Sequence, residues 1–88
     1  MRGRELYGQY HRLIDELAQS AGPRADWRTG LRAQIDRFNV DAAALDSNSA
    51  QLLREELCTQ LEHEALLSAR QTSREILFAA TKWLELSG

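Results

Sequence analysis

Apolar residues recur three or four positions apart along almost the whole chain, and that spacing leaves helix as the regular structure able to gather them on one side. Leu6, Tyr10, Leu13, Ile14, Leu17 and Ala21 make a first stripe, and Trp27, Leu31, Ile35 and Phe38 make a second. Leu53, Leu57, Leu61 and Ala65 continue the pattern, with Leu52, Leu66 and Leu67 widening the face. Ile76, Leu77, Phe78, Ala79, Ala80, Trp83, Leu84 and Leu86 crowd the last segment. Five glycines and one proline in 88 residues leave few breaks, which favours long helices over strands and turns.

The breaks that exist are informative. Ser20, Ala21, Gly22 and Pro23 end the first helix, because glycine suits a C-terminal cap and proline cannot continue the hydrogen-bond ladder. Asp26 is placed to cap the second helix, and Asn39 marks its expected end. Asp41 is read as the cap of a single turn through Ala42–Leu45, followed by the turn-forming cluster Asp46, Ser47, Asn48 and Ser49. Thr72, Ser73, Arg74 and Glu75 have the form of a capping box, so a kink or break is expected at 69–73, the alternative being one helix that runs through to Glu85.

A 10.0 kDa globule would expose about 5,200 Å² of some 14,500 Å² available to the unfolded chain. That supports one modest core and little room for an internal catalytic cleft. Residues 1–40 carry seven arginines against five acids, and residues 41–88 carry four Lys or Arg against eight acids. No contiguous basic patch dominates, which argues against nucleic acid as the main partner. No apolar run approaches the roughly 20 residues that span a bilayer. The MRGRE start is basic, but Glu5, Asp15 and Glu16 follow closely, a poor fit to a cleavable mitochondrial presequence.

Catalytic and metal-binding signatures are not found. His11 and Asp15 stand at i, i+4 without a nearby nucleophile and read as a surface pair. His63 lies between Glu62 and Glu64, which point in different directions on a helix, and reads as part of a charged face. The lone Cys58 reads as a buried thiol. A non-enzymatic role is therefore expected.

Two features call for a partner. Arg24, Arg28 and Arg32 recur every four residues and are expected to stack as a column of like charge on the second helix, with Arg12 and Arg37 extending a basic surface. Such a surface suits an acidic protein or a phosphate group. The last helix is apolar around most of its circumference, so Phe78 and Trp83 are expected to contact another chain; packing as a fourth bundle helix is the competing expectation.

Leu6-Tyr7-Gly8-Gln9-Tyr10-His11-Arg12 resembles the signature of the Leu-Tyr-Arg (LYR) family of small mitochondrial helical proteins, in which Leu-Tyr-Arg is followed four residues later by another arginine. Leu6, Tyr7 and Arg12 match it. LRAQIDRF, ending at Phe38, is similar to the family's downstream phenylalanine segment, and LLREELCTQLEHEALL is similar in character to its last core helix. The resemblance covers roughly residues 5–68. Gly8 stands where the family's naming arginine would be, and His11 where an aliphatic residue is usual.

The resemblance implies an all-α, elongated three-helix bundle over residues 1–70 with a C-terminal helical extension over 71–88. It implies an accessory subunit or assembly adaptor of a mitochondrial complex (respiratory complex, ATP synthase or mitoribosome) on the matrix side. The implied partners are acyl carrier protein and neighbouring subunits. The carrier's acyl-4′-phosphopantetheine arm would be the bound group, with the chain holding no cofactor of its own. Tyr7 and Arg12 would belong to the motif and Phe38 to the aromatic site; Leu6, Tyr10, Leu13, Ile14 and Leu17 would line an acyl-chain groove if the helices splay. The alternative is a bacterial cytoplasmic adaptor or secretion chaperone that binds a client through its apolar C-terminal helix.

Overall fold

The computed structural model describes residues 3–87. Among them run four helices: α1 (Gly3–Ser20), α2 (Trp27–Ala42), α3 (Ser47–Leu67) and α4 (Gln71–Ser87). The molecule measures 38 × 23 × 21 Å and exposes 5511 Å², close to what its mass requires. The all-α expectation agrees with this, whereas the radius of gyration of 12.4 Å is that of a compact globule and not of an elongated bundle. The division into a three-helix core and an appended extension does not hold either.

α4 is a full member of the core. Ile76, Leu77, Ala80 and Leu84 are all but inaccessible to solvent, and α4 packs against each of the other three helices. A helix apolar on so many sides must meet neighbours on more than one. Here α2 and α3, which hardly touch each other, flank α4 on opposite sides while α1 lies beneath. Most of the apolar excess is consumed internally, as the competing expectation held.

The termini explain the register. Ala21 N–H closes the last turn of α1 on Leu17 C=O at 3.0 Å. Asp26 precedes α2 but makes no side-chain cap to its backbone; its carboxylate accepts instead from the Thr29 hydroxyl at 3.2 Å. α2 runs past Asn39 to Ala42, because Phe38 and Ala42 continue the buried stripe and the Asn39 side chain has other work, donating to Ser87 Oγ at 2.9 Å. Asp41 therefore lies in the last turn of α2 and caps no separate turn.

Asp46 is the true cap of α3: its carboxylate accepts from Ser49 N–H at 2.9 Å and from the Ser49 hydroxyl at 2.7 Å. Those bonds hold its carboxyl below the usual aspartate value.

The break before α4 spans Ser68–Arg70, slightly earlier than expected. Ser68 is extended, at φ −73° and ψ 130°. Thr72 and Ser73 are buried within α4 and form no capping box, because the Ser73 hydroxyl donates to Ala18 C=O of α1 at 2.8 Å. Burial of this stretch against α1 overrode the local capping preference.

Candidate interaction surface

The arginines expected to form one column are dispersed. Only Arg28 and Arg32 share a face of α2; Arg24 is exposed in the turn that precedes the helix, so the column is two residues long. The Arg28 guanidinium lies over the Trp27 ring at 4.5 Å, and that of Arg32 over Trp83 of α4 at 4.8 Å. Cation–π contact of this kind orients a guanidinium flat while its edge N–H groups still face water. Arg37 points to the other side of α2, close enough to Tyr10 and Asp41 to act on the Tyr10 phenol. Arg12 is exposed on α1. Among the described residues none of these five arginines is ion-paired; the pairs present are Arg4–Glu56 and His11–Glu64, both joining α1 to α3.

The aromatic site residues fall differently. Phe38 is wholly buried, meets Tyr10 edge-on at 5.5 Å between ring centres, and has Arg54 over its ring at 5.9 Å. It is a core residue rather than a docking one. Tyr7 is half-buried and stacks on His11 at 5.9 Å. Burial, followed by the charges of Glu56 and Glu64, raises its pKa. His11 pairs with Glu64 of α3 at 2.6 Å and not with Asp15, a partner 53 positions away that helical spacing does not reveal. Trp83 is half-buried under Arg32, whereas Phe78 is 39% and Leu86 75% exposed.

The acyl-groove reading meets a closed core. Leu6, Tyr10 and Ile14 are at most 1% exposed and packed with the remaining helices, while Leu13 and Leu17 lie half-buried at the edge. The Tyr10 hydroxyl donates to the Asp41 carboxylate at 2.5 Å, tying α1 to α2 across the seam an acyl chain would need. Clefts occur elsewhere. One of about 320 Å³ between α3 and α4 is lined by Arg54, Glu55, Cys58, Glu62 and Glu85. Another of about 450 Å³ lies at the end of the bundle beside Asn39, Leu45 and Ser87.

Cys58 is 7% exposed, its thiol donates weakly to Thr81 C=O at 3.7 Å, and burial pushes its pKa up to about 11, as befits an inert core thiol. His63 is exposed, and among the described residues no three His, Cys, Asp or Glu side chains gather as metal ligands. None of the described helices is long and apolar enough to cross a membrane.

Two working side chains have no signature in the sequence. Arg70 reaches from the α3–α4 break to the C-terminal carbonyls of α1. Arg54, half-buried, donates to Gln51 Oε1 at 3.3 Å and Asn39 Oδ1 at 3.4 Å.

No protein-family model, curated protein or solved structure matches this chain significantly.

Proposed function

We propose that this chain is a non-enzymatic helical adaptor that docks an acidic protein partner against the outer face of α2 and its border with α4. The observation that carries this is the pair Arg28 and Arg32: two exposed arginines, each with its guanidinium over a tryptophan ring and neither ion-paired among the described residues. Like charges one turn apart oppose each other in an isolated helix by roughly 0.2–0.5 kcal/mol. A partner's carboxylates would relieve that repulsion and gain charge-assisted hydrogen bonds.

The LYR resemblance supplies the named candidate, an acyl carrier protein in a mitochondrial assembly. On this reading the carrier docks by charge, and its acyl chain enters only if α1 and α2 part, breaking the Tyr10–Asp41 bond. A second reading, a bacterial adaptor or secretion chaperone holding a client along α4, draws on the exposure of Phe78 and Leu86. Native co-purification followed by intact mass spectrometry separates the two: an acidic carrier with an acylated arm supports the first, and a secreted client without a carrier supports the second. The double reversal Arg28→Glu, Arg32→Glu should weaken binding of purified acyl carrier protein at least about tenfold, a loss of roughly 1.4 kcal/mol. Helicity by circular dichroism should be unchanged. Binding that is insensitive to this variant and to salt would remove the α2 face from the reading.

A further inference from the structure

α4 presents to solvent the stripe Phe78, Lys82 and Leu86, at i, i+4 and i+8, opposite its buried residues Ile76, Leu77, Ala80 and Leu84. The two sides of that stripe carry opposite charge. On the α2 side stand Arg28 and Arg32, the latter seated on Trp83 of α4. On the α3 side stand Glu55, Glu62 and Glu85, all exposed along the rim of the cleft over Cys58.

The charges also lie at matching heights. Arg32 beside Trp83, together with the Asn39–Ser87 hydrogen bond, sets α2 parallel to α4 and puts both arginines next to its second half. The Cys58–Thr81 contact, with Arg54 and Ser87 sharing the end cleft, sets α3 antiparallel to α4 and brings Glu55 and Glu62 beside the same half. At 1.5 Å per residue, Glu55 and Glu62 are about 10 Å apart along the axis and Arg28 and Arg32 about 6 Å, so the acidic row brackets the basic one.

A positive flank, a stripe in which Phe78 and Leu86 stand on either side of Lys82, and a negative flank at one height form a self-complementary surface. A twofold axis parallel to α4 preserves height and exchanges left for right. It lays each Arg28–Arg32 pair against the partner's acidic row twice over, with Phe78 and Leu86 between. A twofold axis across α4 would instead oppose arginine to arginine.

We propose that a second copy of this chain covers this face, forming a twofold dimer through parallel α4 helices. Lys82 lies within the stripe at the same height in both copies, so the dimer requires each ammonium to extend along its own stem to the rim. The patch from Phe78 to Leu86 is about 12 Å long and, with half of each flanking helix, about 20 Å wide. That area of roughly 240 Å² per copy falls well below the ~800 Å² of a standard stable interface, so the dimer is weak, transient and salt-sensitive. Because it uses Arg28 and Arg32, it competes with an acidic partner for the same groups. The dimer does not depend on that partner, and it is tested on the purified chain alone.

The test is sedimentation velocity over a concentration series, at low and high salt. Expected is a reversible monomer–dimer equilibrium that shifts to monomer in high salt. Arg28→Glu with Arg32→Glu, and separately Glu55→Arg with Glu62→Arg, should each raise the dimer Kd at least about tenfold. Mixing these two variants should restore a one-to-one dimer, since native Glu55 and Glu62 then meet native Arg28 and Arg32 on one side of the axis and the reversed charges meet each other on the opposite side. Phe78→Ser should weaken the wild-type dimer while thermal unfolding shows the fold retained. A monomer at every concentration overturns the proposal, as do species that grow beyond two copies or a mixture of charge variants that stays monomeric.

Discussion

Arg70 donates through its guanidinium to the carbonyl oxygen of Gln19 at 2.6 Å, across 51 positions of sequence. The same group also reaches Ala18 C=O at 3.4 Å and Ala21 C=O. The last carbonyls of a helix lack intrahelical partners and carry the negative end of its dipole, so a cation there satisfies both needs. With the Ser73 hydroxyl also on Ala18 C=O, the α3–α4 break is bolted to the end of α1.

Removing that bolt has a measurable cost. Arg70→Met keeps most of the aliphatic stem and loses all three bonds, while water replaces part of what is lost at this exposed site. The expected destabilisation is about 1–2 kcal/mol. For a domain of this size that lowers Tm by about 4–8 °C per kcal/mol. Arg70→Lys, which cannot span three carbonyls at once, should fall between. A thermal melt of Arg70→Met that overlays the wild type would show the clamp to be energetically idle.

Tyr10 contributes to alkaline stability alongside Cys58 and Tyr7, whose pKa values are also raised. Burial first, then its hydrogen bond to Asp41 and that carboxylate's charge, push its pKa from 10.0 to about 12. The native state therefore keeps the phenolic proton at a pH where the unfolded chain has lost it. The resulting stabilisation is fully present below pH ~10 and is lost as pH rises towards ~12. Urea unfolding as a function of pH should show that decline, and Tyr10→Phe should make it shallower. Phenolate absorbance should show Tyr10 ionising late in the folded protein; ionisation at the ordinary tyrosine value would contradict its burial against Asp41.

Gly8 lies mid-way along α1, and a Cβ built there meets nothing within 4 Å. Gly8→Ala should thus stabilise the protein by about 0.5–1 kcal/mol through lower backbone entropy of the unfolded chain. Gly8→Arg restores the residue the LYR signature has at this position and should fold at least as stably as the wild type. Under the proposed function it should also tighten carrier binding. Destabilisation of both variants in chemical denaturation would mean that the position is crowded rather than open.

Much of the fold was legible in the chain because helical periodicity is local. The buried residues of α1 (Leu6, Tyr10, Ile14 and Ala18) and of α3 (Leu53, Leu57, Leu61 and Ala65) recur at the spacing that defines a helix face. The helix ends were less legible. Asn39 is an ordinary stop signal, yet burial of Ala42 carries α2 beyond it, and Ser73 traded a local cap for a carbonyl of α1. The candidate surface was legible as residue types and not as a site: Arg28 and Arg32 were visible, but the tryptophan under Arg32 comes from another helix 51 positions on.

The sequence alone determined that this protein is all-helical, that it has one core, and the main stripe of each helix that faces it, since those properties depend on neighbours one turn away; Leu52, Leu66 and Leu67, expected to widen the α3 face, are instead exposed. Tertiary structure decided that α4 completes the bundle, that Phe38 is interior, that His11 pairs with Glu64, and that Arg12, Arg24 and Arg37 lie apart from the Arg28–Arg32 pair. Such outcomes depend on how helices are set against one another, and no spacing along the chain encodes which distant side chain a given one will meet.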